Sequence, residues 1–137
     1  MPTTRTAPAT PAVFVDASTL VALADRDDVT HAGAVAAYEQ LRREGVRLFT
    51  TNHAIVEAHG LIALGLGVAI AATWLRDLRI AVYHADEHDE ARARALLVKN
   101  IPGNPTTMTD VINLVILQRL GVRDVFAVDP TAIAEMS

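Results

Sequence analysis

Four acidic side chains stand where the sequence predicts the ends of strands or the early turns of helices. They are Asp16, Glu57, Asp110 and Asp129. An ionised carboxylate that leaves water costs roughly several kcal/mol unless a partner compensates its charge. The acids must therefore either stay exposed at the ends of these elements or share a site that contains positive charge.

A shared site at the edge of a parallel sheet would favour a hard cation. In an open parallel sheet, functional groups collect beyond the carboxyl ends of the strands. Like charges in one pocket repel one another and raise each other's pKa unless a cation lies between them. Mg²⁺ and Mn²⁺ prefer carboxylate and water oxygens, and a chain without cysteine offers nothing to softer metals.

Each acid also has a purely structural interpretation. Thr107 and Asp110 have the spacing of a capping box, in which the acid accepts a backbone N–H. Asp129 precedes a proline and could belong to a turn. Glu57 could be a solvated helix residue. Asp16 closes an apolar run and is followed by small residues, which favours a functional role.

Short apolar runs alternate with helical patterns along the chain. Strands are predicted over residues 12–16, 46–50, 80–84 and 125–129, and helices over residues 17–28, 29–45, 51–67, 68–78, 86–100 and 107–120. The helix over 29–45 has apolar residues at helical spacing, namely Val29, Ala32, Val35, Ala36 and Leu41. Strands that alternate with helices in this way predict a parallel sheet covered on both faces.

Length and composition predict one globular domain. The chain has 137 residues and 51% hydrophobic content, enough for one core. Residues 1–11 hold three prolines and four threonines and are expected to form a flexible leader, followed by a single domain over 12–137. No apolar run is long enough to span a bilayer and the start is unlike a secretory signal, so a cytoplasmic protein without membrane association is expected.

Charge and cysteine content restrict the functional classes. A chain without cysteine has no disulfide framework, thiolate nucleophile or cysteine-based zinc site. The net charge is −4 and the pI is about 5.6, so there is no overall electrostatic attraction to nucleic acid. A polyanionic substrate would need a local basic patch or a bound cation.

Four segments resemble the successive blocks of the PIN-domain nucleases, in particular the VapC-type toxins of bacterial and archaeal toxin–antitoxin pairs. The segments are VFVDASTLVAL, DVTHAGA, FTTNHAIVEAHGLI and TMTDVINLVILQRLGVRDVFAVD, and together they extend from Val13 to about Asp129. The resemblance implies a three-layer α/β/α sandwich with a central, mostly parallel sheet of four or five strands. Residues 12–137 would then form one PIN-like nuclease domain.

The same resemblance assigns roles to the four acids. It implies that Asp16, Glu57, Asp110 and Asp129 hold one or two Mg²⁺ or Mn²⁺ ions and catalyse the reaction, with Ser18 beside Asp16 in the first block. The activity implied is hydrolysis of RNA phosphodiester bonds by hydroxide generated at the metal. The implied partners are an RNA substrate, a small cognate antitoxin that blocks the site, and a second copy of the chain in a homodimer.

Two departures from the family pattern leave the substrate contacts open. Relatives often have an acid near the position of Asn104, and the loop Ile101–Thr107 is unusual. They also usually have an aromatic residue shortly after the last aspartate, where this chain has PTAI. The RNA sequence, the number of metal ions, the antitoxin's identity and the choice between a toxin and a housekeeping nuclease stay open as well.

Two other functions are compatible with the predicted layers. A receiver-like phospho-acceptor domain also places acids at strand ends, although it typically has paired acids after its first strand and a lysine late in the sheet. Here the first strand ends in one acid, and Lys99 lies in a predicted helix. A catalytically inactive PIN-fold binding module is the other alternative.

Overall fold

The computed structural model describes residues 12–99 and 107–127. The predicted leader, most of the loop Ile101–Thr107, and Asp129 lie outside these ranges. The strands are β1 (Ala12–Val15), β2 (Arg47–Thr51), β3 (Ala81–Tyr83) and β4 (Asp124–Phe126). The helices are α1 (Ala17–Ala24), α2 (His31–Arg43), α3 (Asn52–Leu66), α4 (Val68–Asp77), α5 (Glu87–Lys99) and α6 (Met108–Leu120). In these two ranges, no helix has the length and apolar character needed to cross a bilayer.

The strands form one parallel sheet in the order β3-β2-β1-β4. On one side of β1 lie β2 and then β3, and on its other side lies β4. The order of the strands therefore reverses between β1 and β4, which is the position where open parallel sheets form their binding crevice. The predicted parallel sheet is confirmed.

Alternate residues of the strands face two separate cores. Val13 and Val15 pack with residues of α1 and α3 on one face of the sheet, and α2 and α4 cover that cluster. Phe14 and Phe49 face the other way, with ring centroids 5.8 Å apart, and pack against Leu117 of α6. Helices thus cover both faces of the sheet, which gives three layers.

The buried face of α2 differs from the one that the apolar spacing predicted. Four of the expected residues are exposed: Val29, Ala32, Val35 and Ala36. The helix begins only at His31 and packs through a different stripe, made of Ala34, Ala37, Tyr38 and Leu41. In a segment this rich in alanine, several faces have nearly the same hydropathy, and the large side chains Tyr38 and Leu41 decide which one is buried.

Local chemistry specifies three of the helix boundaries. Thr51 is the N-cap of α3, and its side chain accepts a hydrogen bond from the amide of Ala54. Gly45, with φ of 74°, follows the end of α2. Gly67, with φ of 106°, separates α3 from α4, as expected of a glycine at a helix junction.

An ion pair between a buried aspartate and an arginine whose side chain is 39% exposed joins α5 to α6. Asp89 is only 1% exposed, and Arg119 donates to its two carboxylate oxygens at 2.9 and 2.6 Å. The amide of Asp86 donates to the same carboxylate, while Arg119 also donates to the hydroxyl of Tyr83 and lies over its ring. Burial by itself raises the pKa of Asp89, but the hydrogen bonds outweigh burial and leave that pKa below its ordinary value.

Replacing Arg119 with methionine is expected to destabilise the protein more at pH 7 than at pH 3. In the wild type, the lowered pKa of Asp89 contributes stability that is present above about pH 4 and is lost as the pH falls through that pKa. Without Arg119, burial dominates and the charged carboxylate becomes unfavourable above the same pH. Urea unfolding at both pH values measures the effect, with the exposed Arg94→Met of α5 as control. Equal losses at both pH values would show that Arg119 contributes by packing alone.

Candidate functional site

Asp16 lies at the point where the strand order reverses. It follows β1 directly and is the N-cap of α1, where its Oδ1 accepts hydrogen bonds from the amide of Thr19 at 3.0 Å and from the hydroxyl of Ser18 at 2.9 Å. The buried hydroxyl of Thr19 donates to the carbonyl of Phe126 at 2.6 Å. This hydrogen bond fixes the first turn of α1 to the end of β4. The position of Asp16 at the start of α1 is thereby fixed as well.

Glu57 lies on α3 and is only partly exposed. The helix buries Ala54, Ala58 and Ile62, so Glu57 stands at the border of the buried face. Burial raises the pKa of Glu57, and the negative charges of Asp110 and Asp16 raise it further. Three of the four predicted site residues are therefore electrostatic neighbours, although they come from three separate elements.

Asp110 forms a capping box with Thr107 at the start of α6. The hydroxyl of Thr107 accepts from the amide of Asp110 at 3.2 Å, and the carboxylate of Asp110 accepts from the amide of Thr107 at 3.4 Å. The structural interpretation of this acid is thus confirmed. It does not exclude the functional one, because the side chain is exposed and its charge acts on Glu57.

The acids do not form a ready coordination shell in the described ranges. Over residues 12–99 and 107–127, no three histidine, aspartate or glutamate side chains are grouped closely enough to hold a metal ion. Charges act on one another over many ångströms, whereas the ligands of Mg²⁺ or Mn²⁺ lie about 2 Å from the ion. Asp16 and Asp110 can therefore raise the pKa of Glu57 without standing close enough to coordinate one ion together with it. The donors are all carboxylate oxygens, which suits a hard cation. The fourth predicted ligand, Asp129, lies outside the described residues.

Sequence reasoning missed the polar residues that fix these elements to one another. The hydroxyl of Thr51 donates to the side-chain oxygen of Asn113 at 2.6 Å, and both residues are buried. The side chain of Asn52 accepts from the amide of Ala85 at 2.9 Å, which ties the start of α3 to the segment after β3. Only Asn113 gave a signal in the sequence, as an amide within an otherwise apolar helix.

The comparisons with known proteins give the fold. No protein-family model and no curated protein matches this chain. Among solved structures, it is similar to Mycobacterium tuberculosis VapC20, a sarcin–ricin loop cleaving toxin, with a TM-score of 0.72 and 20% sequence identity. The similarity covers 91% of this chain and 95% of that one. The predicted PIN-like fold, with helices around a central parallel sheet, is confirmed.

Replacing Glu57 with glutamine is expected to make the metal-free protein more stable at pH 7. Because the fold raises the pKa of Glu57 above 4.5, the wild type loses stability as the pH rises through that raised pKa. Glutamine cannot ionise, so the variant escapes this loss. The gain should be at most about 1 kcal/mol, because water reaches and screens part of the side chain.

Urea unfolding in EDTA measures this difference, and the gain should disappear near pH 4, where Glu57 is protonated in the wild type. Glu39→Gln, an exposed position on α2, is the matched control and should change stability little. A variant less stable than the wild type at pH 7 would argue against repulsion at Glu57.

Proposed function

We propose that this protein is a Mg²⁺- or Mn²⁺-dependent endoribonuclease, and the toxin component of a VapBC-type toxin–antitoxin pair in the cytoplasm. The observation that carries the proposal is the fold shared with VapC20, in which Asp16 stands where the strand order reverses. Burial raises the pKa of Glu57, and the charges of Asp110 and Asp16 raise it further, which supports the proposal. A fold that brings like charges together at the edge of its sheet loses stability there unless a cation offsets them. Perturbed acids at such an edge are typical of functional sites.

The ligands proposed for the cation are Asp16, Glu57, Asp110 and Asp129. Asp16 is held by Thr19 and Ser18 through Oδ1 alone, and in the described ranges Oδ2 makes no hydrogen bond. Asp110 uses one carboxylate oxygen in its long capping hydrogen bond. Each of these two acids thus keeps an oxygen for an external partner.

The metal and the acids would divide the work of hydrolysis. When bound, Mg²⁺ or Mn²⁺ would supply hydroxide at neutral pH and neutralise the charge that develops on the phosphate. The protein would contribute orientation, because the acids stand on a strand end and on two helices that buried contacts hold in place. The acidic character of the chain supports a cation as the group that receives the RNA phosphate.

The proposed partners are RNA, a small antitoxin and a second copy of the chain. VapC20 is a sarcin–ricin loop cleaving toxin, and the shared fold supports RNA as the substrate class here. Large apolar side chains are exposed along α3 and α4, including Val56 at 71%, Leu64 at 87% and Val68 at 74%. Exposed apolar groups at this density support a protein partner on that surface, and we assign it to the homodimer.

The receiver alternative is less compatible with the topology. In the receiver-type doubly wound sheet, β1 lies between β2 and β3. Here β1 lies between β2 and β4, and β2 separates it from β3. The inactive binding module has the same fold as the nuclease, so only a measurement of metal binding and cleavage separates these two.

Mg²⁺ or Mn²⁺ is expected to raise the melting temperature, because a ligand that binds only the native state stabilises it by mass action and also relieves the repulsion of the acids. Asp16→Asn, Asp110→Asn and Asp129→Asn should each reduce the shift. Differential scanning calorimetry with increasing metal measures it, with Asp77→Asn, an exposed acid of α4, as control. Equal shifts in the wild type and all three site variants would exclude a metal site at these acids.

The purified protein is expected to cut single-stranded RNA in Mg²⁺ or Mn²⁺, and poorly in Ca²⁺, whose coordination is larger and looser. Asp16→Ala should abolish cleavage while the protein stays folded. The resemblance to the PIN-domain nucleases implies products with a 5′-phosphate and a 3′-hydroxyl, whereas attack by the 2′-hydroxyl of the RNA would leave a cyclic phosphate. Cyclic-phosphate ends, or cleavage that survives both EDTA and Asp16→Ala, would contradict the mechanism.

A further inference from the structure

A buried polar pair connects the two helices that carry Glu57 and Asp110. Thr51 is fully buried and Asn113 is 8% exposed, and the hydroxyl of Thr51 donates to the side-chain oxygen of Asn113 at 2.6 Å. The same hydroxyl oxygen accepts from the amide of Ala54 at 3.1 Å and so begins α3. The hydroxyl oxygen of Thr51 therefore caps the N-terminus of α3 and also bonds to α6.

The positions of the pair relate it directly to the acids. Asp110 precedes Asn113 by three residues and lies on the same side of α6, since residues three apart are neighbours on a helix. Glu57 follows Thr51 by six residues on α3, less than two turns from the hydrogen bond. A rotation of α6 by one residue would turn Asp110 by about 100° away from its present direction.

Burying the side chains of Thr51 and Asn113 costs desolvation free energy, and the hydrogen bond between them requires one relative orientation. Burying a hydroxyl and an amide is favourable only when the two are bonded, whereas two apolar side chains could pack here in several orientations. The surroundings are apolar: α6 buries Val111, Ile112, Val115 and Ile116 around Asn113. A hydrogen bond in such a setting selects one arrangement of α6 relative to α3.

We propose that the Thr51–Asn113 hydrogen bond sets the direction of Asp110 relative to Glu57, and that Thr51 and Asn113 are positioning residues for the acidic site. The proposal rests on the function given above, in which these acids bind a divalent cation. Both side chains are buried and bonded to each other, so neither would serve as a ligand of the cation. They act through the two helices, and their loss should weaken metal binding more than it weakens the fold.

Thr50 provides a matched control. It is also fully buried, and its hydroxyl donates to the carbonyl of Val15 at 2.7 Å, so Thr50→Val removes a comparable buried hydrogen bond from the adjacent residue. That bond joins β2 to β1 and does not involve α6. Thr50→Val therefore measures what the loss of one buried hydrogen bond alone does to metal binding, whereas a positioning effect should appear in Thr51→Val and Asn113→Leu and not in Thr50→Val.

The experiment measures the Kd for Mn²⁺ without RNA, by titration with electron paramagnetic resonance, together with urea unfolding of each variant. Thr51→Val and Asn113→Leu are expected to bind Mn²⁺ about tenfold or more weakly than the wild type, the usual cost of losing a residue that orients metal ligands. Thr50→Val should keep the wild-type Kd, and Thr51→Ser, which retains the hydroxyl, should restore it. Asn113→Leu leaves the cap of α3 intact, so it tests the link even if Thr51→Val does not fold.

The possible results separate this inference from the proposed function. If the wild type binds Mn²⁺ and cuts RNA but Thr51→Val and Asn113→Leu bind as tightly as Thr50→Val, the positioning role is wrong and the nuclease proposal stands. If the wild type neither binds Mn²⁺ nor cuts RNA, the proposed function fails and the positioning role fails with it. Selective weakening in Thr51→Val and Asn113→Leu, with rescue by Thr51→Ser, supports both.

Discussion

The hydrogen bonds that tie α1 to β4 and β2 to α6 decide where Asp16, Glu57 and Asp110 stand relative to one another. Burial raises the pKa of Glu57 and the negative charges of Asp110 and Asp16 raise it further, so these contacts also hold the elements against that repulsion. Asp16 is fixed because Thr19 ties the first turn of α1 to the end of β4. The helices that carry the other two acids are joined through a buried hydrogen bond, and both contribute to the apolar cluster around Phe14 and Phe49 of the sheet.

The sequence predicted the fold because its main signals are local. An apolar run closed by Asp16 and the alternation of strand and helix patterns each specify a conformation within a few residues. Those signals were sufficient for the parallel sheet and for the helices that carry Glu57 and Asp110. The same signals did not predict which face of α2 is buried. Its alanines give several faces of the helix similar hydropathy, so contacts with other elements select the buried one.

The pairs that hold the site could not be predicted, because their partners are far apart in sequence. Thr51 and Asn113 are separated by 62 residues, and Asp89 and Arg119 by 30. Asn113 is an amide in an otherwise apolar helix, but the sequence does not indicate which buried hydroxyl is its partner. Asp89 is one of several acids at the start of α5, where a helix N-terminus favours them, and no neighbouring residue in the sequence indicates that it is buried against an arginine.

The acidic groups of this protein differ in how far the fold compensates their charge, and the proposed cation is expected where that compensation is incomplete. Asp89 is paired inside the fold, and its pKa is lowered. Asp16 and Asp110 stand at the first turns of α1 and α6, where the partial positive charge of a helix N-terminus stabilises a carboxylate. Glu57 lies too far along α3 to gain from that effect, so burial and its two acidic neighbours raise its pKa. The compensation that the fold supplies to the other acids is incomplete at Glu57, and a cation bound there would complete it.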